Sequence, residues 1–244
     1  FMTYAARCYA PGPYWLPEWP FPPIYVTDED VHTDDMPYFT RTNVTRTYLA
    51  ATKDFIHYQR LGLLTEPDID DRDVVLFPEK INGKYWMISR PKFENVTGVN
   101  MPSIWISSGK DLCSFDKPNL LLTGGTTDWE IQRIGAGTVP IKTKYGWFML
   151  YHGVDEKGVY RVGAVILDLN DPTKIIARTK KWLMEPDTPF ELEGIYDGCV
   201  FPTGTVVKDG TLFIYYGCAD KHIGLATVNF DELLEYLMTE ELIK

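Results

Sequence analysis

The stretch Tyr-Gly-Trp-Phe-Met-Leu-Tyr-His-Gly, residues 145–153, joins a glycine turn to a run of large apolar residues that ends on a polar side chain. A short apolar run of this kind, rich in aromatic residues and bounded by turn residues, is typical of a buried β-strand. Three similar strands occur at residues 1–4, 85–88 and 212–216, and the last two also follow a Gly-containing turn. The stretch at 145–153 is therefore one copy of a repeat.

A second strand follows each aromatic strand and ends in a turn that contains aspartate. The turn aspartates are Asp54, Asp111, Asp171 and Asp231, which lie 57, 60 and 60 residues apart. Short strands with a period of about 50 to 60 residues are the signature of propeller blades. A β-sandwich whose turns recur by chance is the alternative. The pairing of aromatic strand with Asp turn favours the propeller.

We predict an all-β chain in which residues 1–244 form a single β-propeller domain of about four blades. Residues 11–35 are dense in Pro, Trp and acidic residues, which predicts an ordered insertion loop. The loop suits a rim or a subunit contact, so a homo-oligomer is one of the assemblies compatible with the sequence. Residues 231–237 have helical spacing and an acidic first turn, which predicts a short C-terminal helix. The sequence begins at Phe1 as a strand already under way, so we expect it to be N-terminally incomplete.

The composition argues against several classes of function. The net charge is −10 and no basic stripe is visible, which argues against a nucleic-acid partner. No apolar run approaches membrane-spanning length. Four Cys and four His are scattered, which predicts neither a disulfide framework nor a metal site. Two glycosylation sequons, at Asn43 and Asn95, have no signal peptide before them, so the sequence favours a cytoplasmic protein.

Polar side chains fall at equivalent points of the repeat, near the ends of the four aromatic strands. They are Arg7, Arg90, His152 and Asp220. Strand ends that merely meet solvent would explain any one of them. The set of four in register instead indicates a site on the propeller axis, where the innermost strands meet.

Three basic residues of this acidic chain are expected near the same axis, namely Arg7, Arg46 and Lys80. Arginine forks match phosphate oxygens, and lysine adds a point charge, so the trio predicts a site for a small anion. Surface salt bridges with the 34 acidic residues are the alternative.

Six motifs resemble those of glycoside hydrolase family 130, the β-mannoside phosphorylases and their hydrolytic relatives. They are LFPEKINGKY (76–85), IWISS (104–108), IGAGTVPIKT (134–143), YHG (151–153), FPTG (201–204) and YYGCAD (215–220). They occur in the family's order from about Arg46 to the C-terminus.

The resemblance implies a five-bladed propeller that cleaves β-mannosides with inorganic phosphate and releases α-mannose 1-phosphate. The partners are then an oligosaccharide substrate and phosphate, without a metal or organic cofactor. Arg7, Arg46, Lys80 and His152 resemble the phosphate-binding set. The sugar-binding candidates are Arg90, Tyr151, Asp197, Thr203 and Asp220, of which Asp220 resembles the carboxylate that holds the mannose hydroxyls.

The resemblance places the proton donor on an Asp in a Glu-Asp-Pro-Arg stretch, upstream of the strand at residues 1–4. That stretch does not occur in the 244 residues, and Asp197 is the fallback candidate for the acid. Three functions follow: a phosphorylase, a β-mannosidase that activates water, and a non-catalytic carbohydrate-binding propeller. The basic trio favours the phosphorylase, because cations serve an anionic nucleophile better than a neutral one.

Overall fold

The computed structural model describes residues 1–6, 45–67, 69–91, 99 and 101–239. The chain divides into two compact units, Phe1–Arg72 and Asp73–Lys244. The predicted insertion loop at 11–35 and Arg7 lie outside the described residues.

The first unit contains a three-stranded antiparallel sheet. Its strands are β1 (Met2–Ala6), β2 (Arg46–Ala51) and β3 (Gln59–Leu63), paired in that order. Tyr4 and Tyr48 lie opposite each other in the β1–β2 ladder, with ring centroids 5.6 Å apart. Asp54 closes the β2–β3 turn because its Oδ1 accepts hydrogen bonds from the amides of Ile56 and His57.

The second sheet opens on β4, which crosses the boundary between the units. Its strands are β4 (Asp71–Leu76), β5 (Tyr85–Pro91), β6 (Ile104–Asp111), β7 (Ser114–Phe115) and β8 (Asn119–Leu122), with β7 and β8 both paired to β6. Asn82 and Gly83 form the turn before β5, and both have positive φ values, of 51° and 77°. This conformation suits an Asn-Gly pair and matches the twist of the flanking strands.

The third sheet is built around its longest strands. A 3-10 turn (Asp128–Glu130) leads into β9 (Arg133–Ala136), β10 (Ile141–Lys142), β11 (Trp147–Val154), β12 (Tyr160–Leu167) and β13 (Ile175–Arg178). Both β9 and β10 pair with β11 on the edge opposite β12. The quoted stretch 145–153 is thus the centre of a blade.

The fourth sheet is flanked by the two helices of the described residues. The elements are α1 (Pro189–Leu192), β14 (Val200–Lys208), β15 (Thr211–Cys218), β16 (His222–Asn229) and α2 (Phe230–Thr239). Helix α2 is the C-terminal helix predicted at 231–237. Helix α1 was not predicted, because four residues that begin with Pro carry no helical periodicity.

Strand β11 is buried on both faces, which explains why every residue of 147–151 is apolar or aromatic. Trp147, Met149 and Tyr151 belong to a core shared with the second sheet. Phe148 and Leu150 belong to a core shared with the fourth sheet and α2. The alternation follows the two-residue period of a strand. Adjacent residues such as Tyr151 and His152 therefore face opposite sides of β11.

Four antiparallel sheets in chain order confirm an all-β propeller chain of about four blades with a short C-terminal helix. Over the described residues the sheets have three or five strands, and the five-stranded ones contain the short edge strands β7, β8, β9 and β10. No described helix is long and apolar enough to cross a membrane.

Candidate functional site

Four polar side chains meet where β4, β5, β9 and β11 come together, and we call them the His152 cluster: Asp73, Arg90, Arg133 and His152. Oδ2 of Asp73 lies 2.5 Å from Nε of Arg90 and 3.6 Å from Nε2 of His152. Arg133 is held nearby because β9 pairs with β11, placing Arg133 opposite Val154 and Gly135 opposite His152. One carboxylate and two guanidinium groups therefore surround one imidazole.

Aromatic rings form the other wall of the cluster. The His152 ring lies 4.4 Å from that of Phe201 on β14 and 5.5 Å from that of Tyr160 on β12. The guanidinium of Arg133 lies 5.4 Å from the Tyr160 ring centroid, within cation–π range. This combination of flat apolar faces and fixed polar groups is typical of small-ligand sites.

The backbone leaves room for this arrangement at Gly135. A Cβ atom at this position would collide with Oδ2 of Asp73 and with the imidazole of His152, so glycine is required there. Asp73 itself has a φ of +52°, a left-handed conformation that non-glycine residues rarely adopt. Such strained conformations concentrate at functional sites.

His152 is fully buried, and its two ring nitrogens have no hydrogen-bond partner within the described part of the chain. Nε of Arg133 is also buried without one. Burial lowers the pKa of His152 to about 4; Asp73 opposes this shift, while Arg90 and Arg133 reinforce it. Buried polar atoms are almost always paired in proteins, so these atoms point to a ligand. At neutral pH a neutral His152 can donate one N–H bond to it.

The depressed pKa of His152 predicts that stability falls as pH decreases. In the folded protein His152 stays neutral down to about pH 4, whereas in the unfolded chain the same side chain is protonated below about pH 6.5. The contribution of His152 to the free energy of unfolding is therefore fully present above pH 6.5 and is lost as the pH falls toward 4. The contribution is about 3 kcal/mol at 1.36 kcal/mol per pKa unit. Unfolding by denaturant in phosphate-free buffer should show this loss in the parent and a smaller loss in His152→Gln. His222→Gln, at an exposed histidine, should behave as the parent; identical pH profiles for parent and His152→Gln would contradict the prediction.

Of the other predicted anion ligands, Arg7 lies outside the described residues. Lys80 is exposed, and its Nζ lies 4.4 Å from the Tyr85 ring centroid. Arg46 is buried in the first unit, where its Nε donates to the carbonyl of Pro67 at 2.6 Å. The structure thus joins His152 to Arg90, which the sequence had assigned to the sugar.

Tyr151 is not brought to the His152 cluster. Adjacent strand residues point to opposite faces, so Tyr151 enters the core on the side of the second sheet. Its hydroxyl donates to Oε2 of Glu130 and accepts from Nε of Arg178, both at 3.1 Å. With no exposed surface, this ring is part of a buried network that anchors the loop before β9.

The other sugar candidates lie at the fourth sheet, and all three are exposed. Oδ1 of Asp197 accepts from the amide of Gly194 at 2.9 Å. The hydroxyl of Thr203 donates to the carbonyl of Tyr215 at 3.1 Å. Asp220 lies in the β15–β16 turn with a φ of +53°. Asp197 also lines an open cleft of about 670 Å³. The other lining residues are Pro189, Phe190, Glu193, Gly194, Lys221 and His222, of which the last two directly follow Asp220 in sequence.

Two members of the cluster, Asp73 and Arg133, were missed by reasoning from sequence. The repeat brings together the ends of the aromatic strands, and neither residue lies at such an end. A weak signal was available for Arg133, which immediately precedes the Gly-rich stretch 134–137, whereas Asp73 is the last of a run of charged residues before the apolar stretch 74–77.

The fold and the cluster define a β-propeller with a buried polar site suited to an anion. The family model described as beta-1,4-mannooligosaccharide phosphorylase matches residues 26–239. The chain belongs to this family, glycoside hydrolase family 130.

Curated relatives of this chain carry the names of phosphorylases. The chain is 43% identical over 189 residues to the 1,2-beta-oligomannan phosphorylase of Thermoanaerobacter sp. strain X514, which covers 77% of this chain and 60% of the relative. It is 40% identical over 192 residues to the beta-1,2-mannobiose phosphorylase of Listeria innocua, covering 79% and 53%. The chain therefore spans about half the length of the relatives it matches.

A solved structure supports the same assignment. The beta-1,2-mannobiose phosphorylase of Listeria innocua, in complex with beta-1,2-mannobiose, superposes with a TM-score of 0.75 at 38% identity. The match covers 81% of this chain and 54% of that one.

Proposed function

We propose that the protein cleaves β-mannosides with inorganic phosphate and releases α-mannose 1-phosphate with inversion at the anomeric carbon. The single observation that carries the proposal is the His152 cluster, in which two arginines from different strands flank a buried histidine whose ring nitrogens have no hydrogen-bond partner among the described residues. The names of the relatives support phosphorolysis.

The cluster suits phosphate by its charge and its hydrogen-bond donors. Arg90 and Arg133 supply guanidinium donors, which match phosphate oxygens, and neutral His152 supplies a further N–H. Asp73 orients Arg90 through the 2.5 Å ion pair and offsets one of the two positive charges. We therefore propose Arg90, Arg133 and His152 as phosphate ligands, with Arg7 and Arg46 kept as predicted members and exposed Lys80 as the weakest one.

In the proposed reaction a phosphate oxygen bonds to C1 of mannose as the bond from C1 to the glycosidic oxygen breaks. The departing oxygen takes a proton from the general acid, which the family resemblance places on an Asp upstream of residue 1, with Asp197 as fallback. Asp220 holds mannose hydroxyls, and Phe201 and Tyr160 present ring faces of the kind that sugars contact. No metal or organic cofactor enters the proposal, and the cytoplasmic location stays part of it.

We also propose that the whole protein has five blades, as the family resemblance implies. The fourth sheet leaves an apolar face exposed, formed by Val206, Tyr215, Ile223 and Leu225 at 52%, 42%, 85% and 53% exposure. Tyr215 and Leu225 are directly opposed across the β15–β16 ladder. A further blade packed on this face would bury it, since propeller blades stack face to face.

The test is phosphate-dependent release of mannose 1-phosphate. β-1,2-Mannobiose is the first substrate to try, because relatives at 38–43% identity act on 1,2-linked mannosides by name; β-1,4-mannobiose is the comparison. We expect product only with phosphate, and as the α anomer by NMR. Release of free mannose at an equal rate without phosphate would show a β-mannosidase and reject the proposal.

A further inference from the structure

The loop at residues 187–199, between β13 and β14, is tied to the fourth sheet through Glu191. This side chain is 5% exposed, and both of its carboxylate oxygens accept hydrogen bonds. Oε2 accepts from the amides of Asp187 at 3.0 Å and Thr188 at 2.9 Å. Oε1 accepts from the hydroxyl of Tyr216 on β15 at 2.7 Å. One buried carboxylate thus joins the loop to the strand that leads to Asp220.

The same loop holds the turn in which Asp220 lies. The carbonyl of Ala219 accepts from the amides of Ile195 at 2.9 Å and Tyr196 at 3.1 Å, and the Ala219 amide donates to the carbonyl of Cys199 at 2.9 Å. Ala219 and Asp220 both have left-handed backbone, with φ values of +48° and +53°. This conformation is unfavourable for L-residues, so the turn depends on its neighbours to keep its shape.

The space around Tyr216 is adapted to its contact with Glu191. Gly224 lies opposite Tyr216 in the β15–β16 ladder, and a Cβ there would collide with the Tyr216 ring. The ring therefore lies over the glycine, where its hydroxyl reaches Glu191. Loop, strand and turn form one hydrogen-bonded unit.

We propose that Glu191 is a positioning residue for Asp220, acting through Tyr216 and the loop at 187–199. The inference rests on the proposed function, in which Asp220 holds the mannose hydroxyls. Glu191 contacts neither substrate nor phosphate in this scheme. Its role is to fix the direction of the Asp220 carboxylate, which is exposed and lies on a turn that is unfavourable by itself.

The test compares two KM values in Tyr216→Phe, which removes one hydroxyl and keeps the ring over Gly224. Loss of one hydrogen bond to a carboxylate should raise the KM for the mannoside about fivefold or more, while the KM for phosphate stays within about twofold. Hydrogen exchange at the amides of Ile195 and Tyr196 should become faster. Glu191→Gln should give the same pattern, and in Tyr216→Phe/Glu191→Gln the two effects should not add.

The matched control is Tyr58→Phe, which removes a tyrosine hydroxyl that donates to the carbonyl of Phe55 in the first unit. It should leave both KM values unchanged. Unchanged amide exchange in Tyr216→Phe, an unchanged mannoside KM, or an equal rise in both KM values would each overturn the proposal.

The failure of the proposed function would be distinguishable from the failure of this inference. If the 244 residues joined to the upstream segment that carries Glu-Asp-Pro-Arg produced no mannose 1-phosphate, phosphorolysis would be rejected. Calorimetric titration with β-1,2-mannobiose would still test the role of Glu191: weaker binding by Tyr216→Phe than by the parent supports it, and equal binding overturns it.

Discussion

Replacing Arg133 by methionine is expected to raise the KM for phosphate by about 10- to 100-fold, with a much smaller change in the KM for the mannoside. Hydrogen bonds to charged groups contribute about 1.5–3 kcal/mol, and the half-buried guanidinium of Arg133 has a buried Nε without a partner among the described residues. Methionine keeps most of the apolar stem over Tyr160. Initial rates of mannose 1-phosphate release at varied phosphate concentration give both constants.

The control for Arg133→Met is Arg161→Met. Arg161 lies on β12, the strand on the other side of β11, and its charge is already paired with Asp155 at 2.7 Å and Glu185 at 3.1 Å. This variant should keep the parent's KM for phosphate, although it will be somewhat less stable. If both arginines proved equivalent, or if Arg133→Met bound phosphate normally, the His152 cluster would not be the phosphate site.

The general acid should have the largest effect on rate. The 244 residues joined to an upstream segment that carries Glu-Asp-Pro-Arg are expected to release mannose 1-phosphate at least ~100-fold faster than the 244 residues alone. Phosphate is a fair nucleophile once positioned, but an unprotonated sugar alkoxide is a very poor leaving group, and positioned acid catalysis contributes about 10²–10⁴-fold. The affinity for mannose should change only modestly, because Asp220 belongs to both proteins.

Two controls identify the acid. Asp→Asn in the upstream segment should return the rate to that of the 244 residues alone, and Asp197→Asn should have little effect in the longer protein. Full activity of the 244 residues would place the acid within them, with Asp197 the first residue to mutate. Equal inactivity of both proteins would favour the carbohydrate-binding propeller.

Local sequence was sufficient for the elements of the fold. A strand buried on both faces must be apolar at every position, and residues 147–151 fulfil this, as β11 does in the structure. Turn residues act over a few positions, so Asp54 and the Asn82-Gly83 pair could be recognised directly. The amphipathic helix α2 is equally local. These local features define the sequence repeat, and the repeat predicts the blades.

Which residues form the His152 cluster depends on the pairing of strands that are distant in sequence. His152 could be recognised because it ends an aromatic strand, but Arg133 reaches it only through the β9–β11 ladder. Asp73 reaches it only because Gly135 has no side chain. Tyr151 and His152 are adjacent in sequence, yet they face different neighbouring sheets and so belong to different environments. The sequence by itself determined the strands, the turns and the family, because these follow from local periodicity and short motifs. The tertiary structure alone decided which charges share one buried space, because that depends on which strands pair and which face each side chain takes.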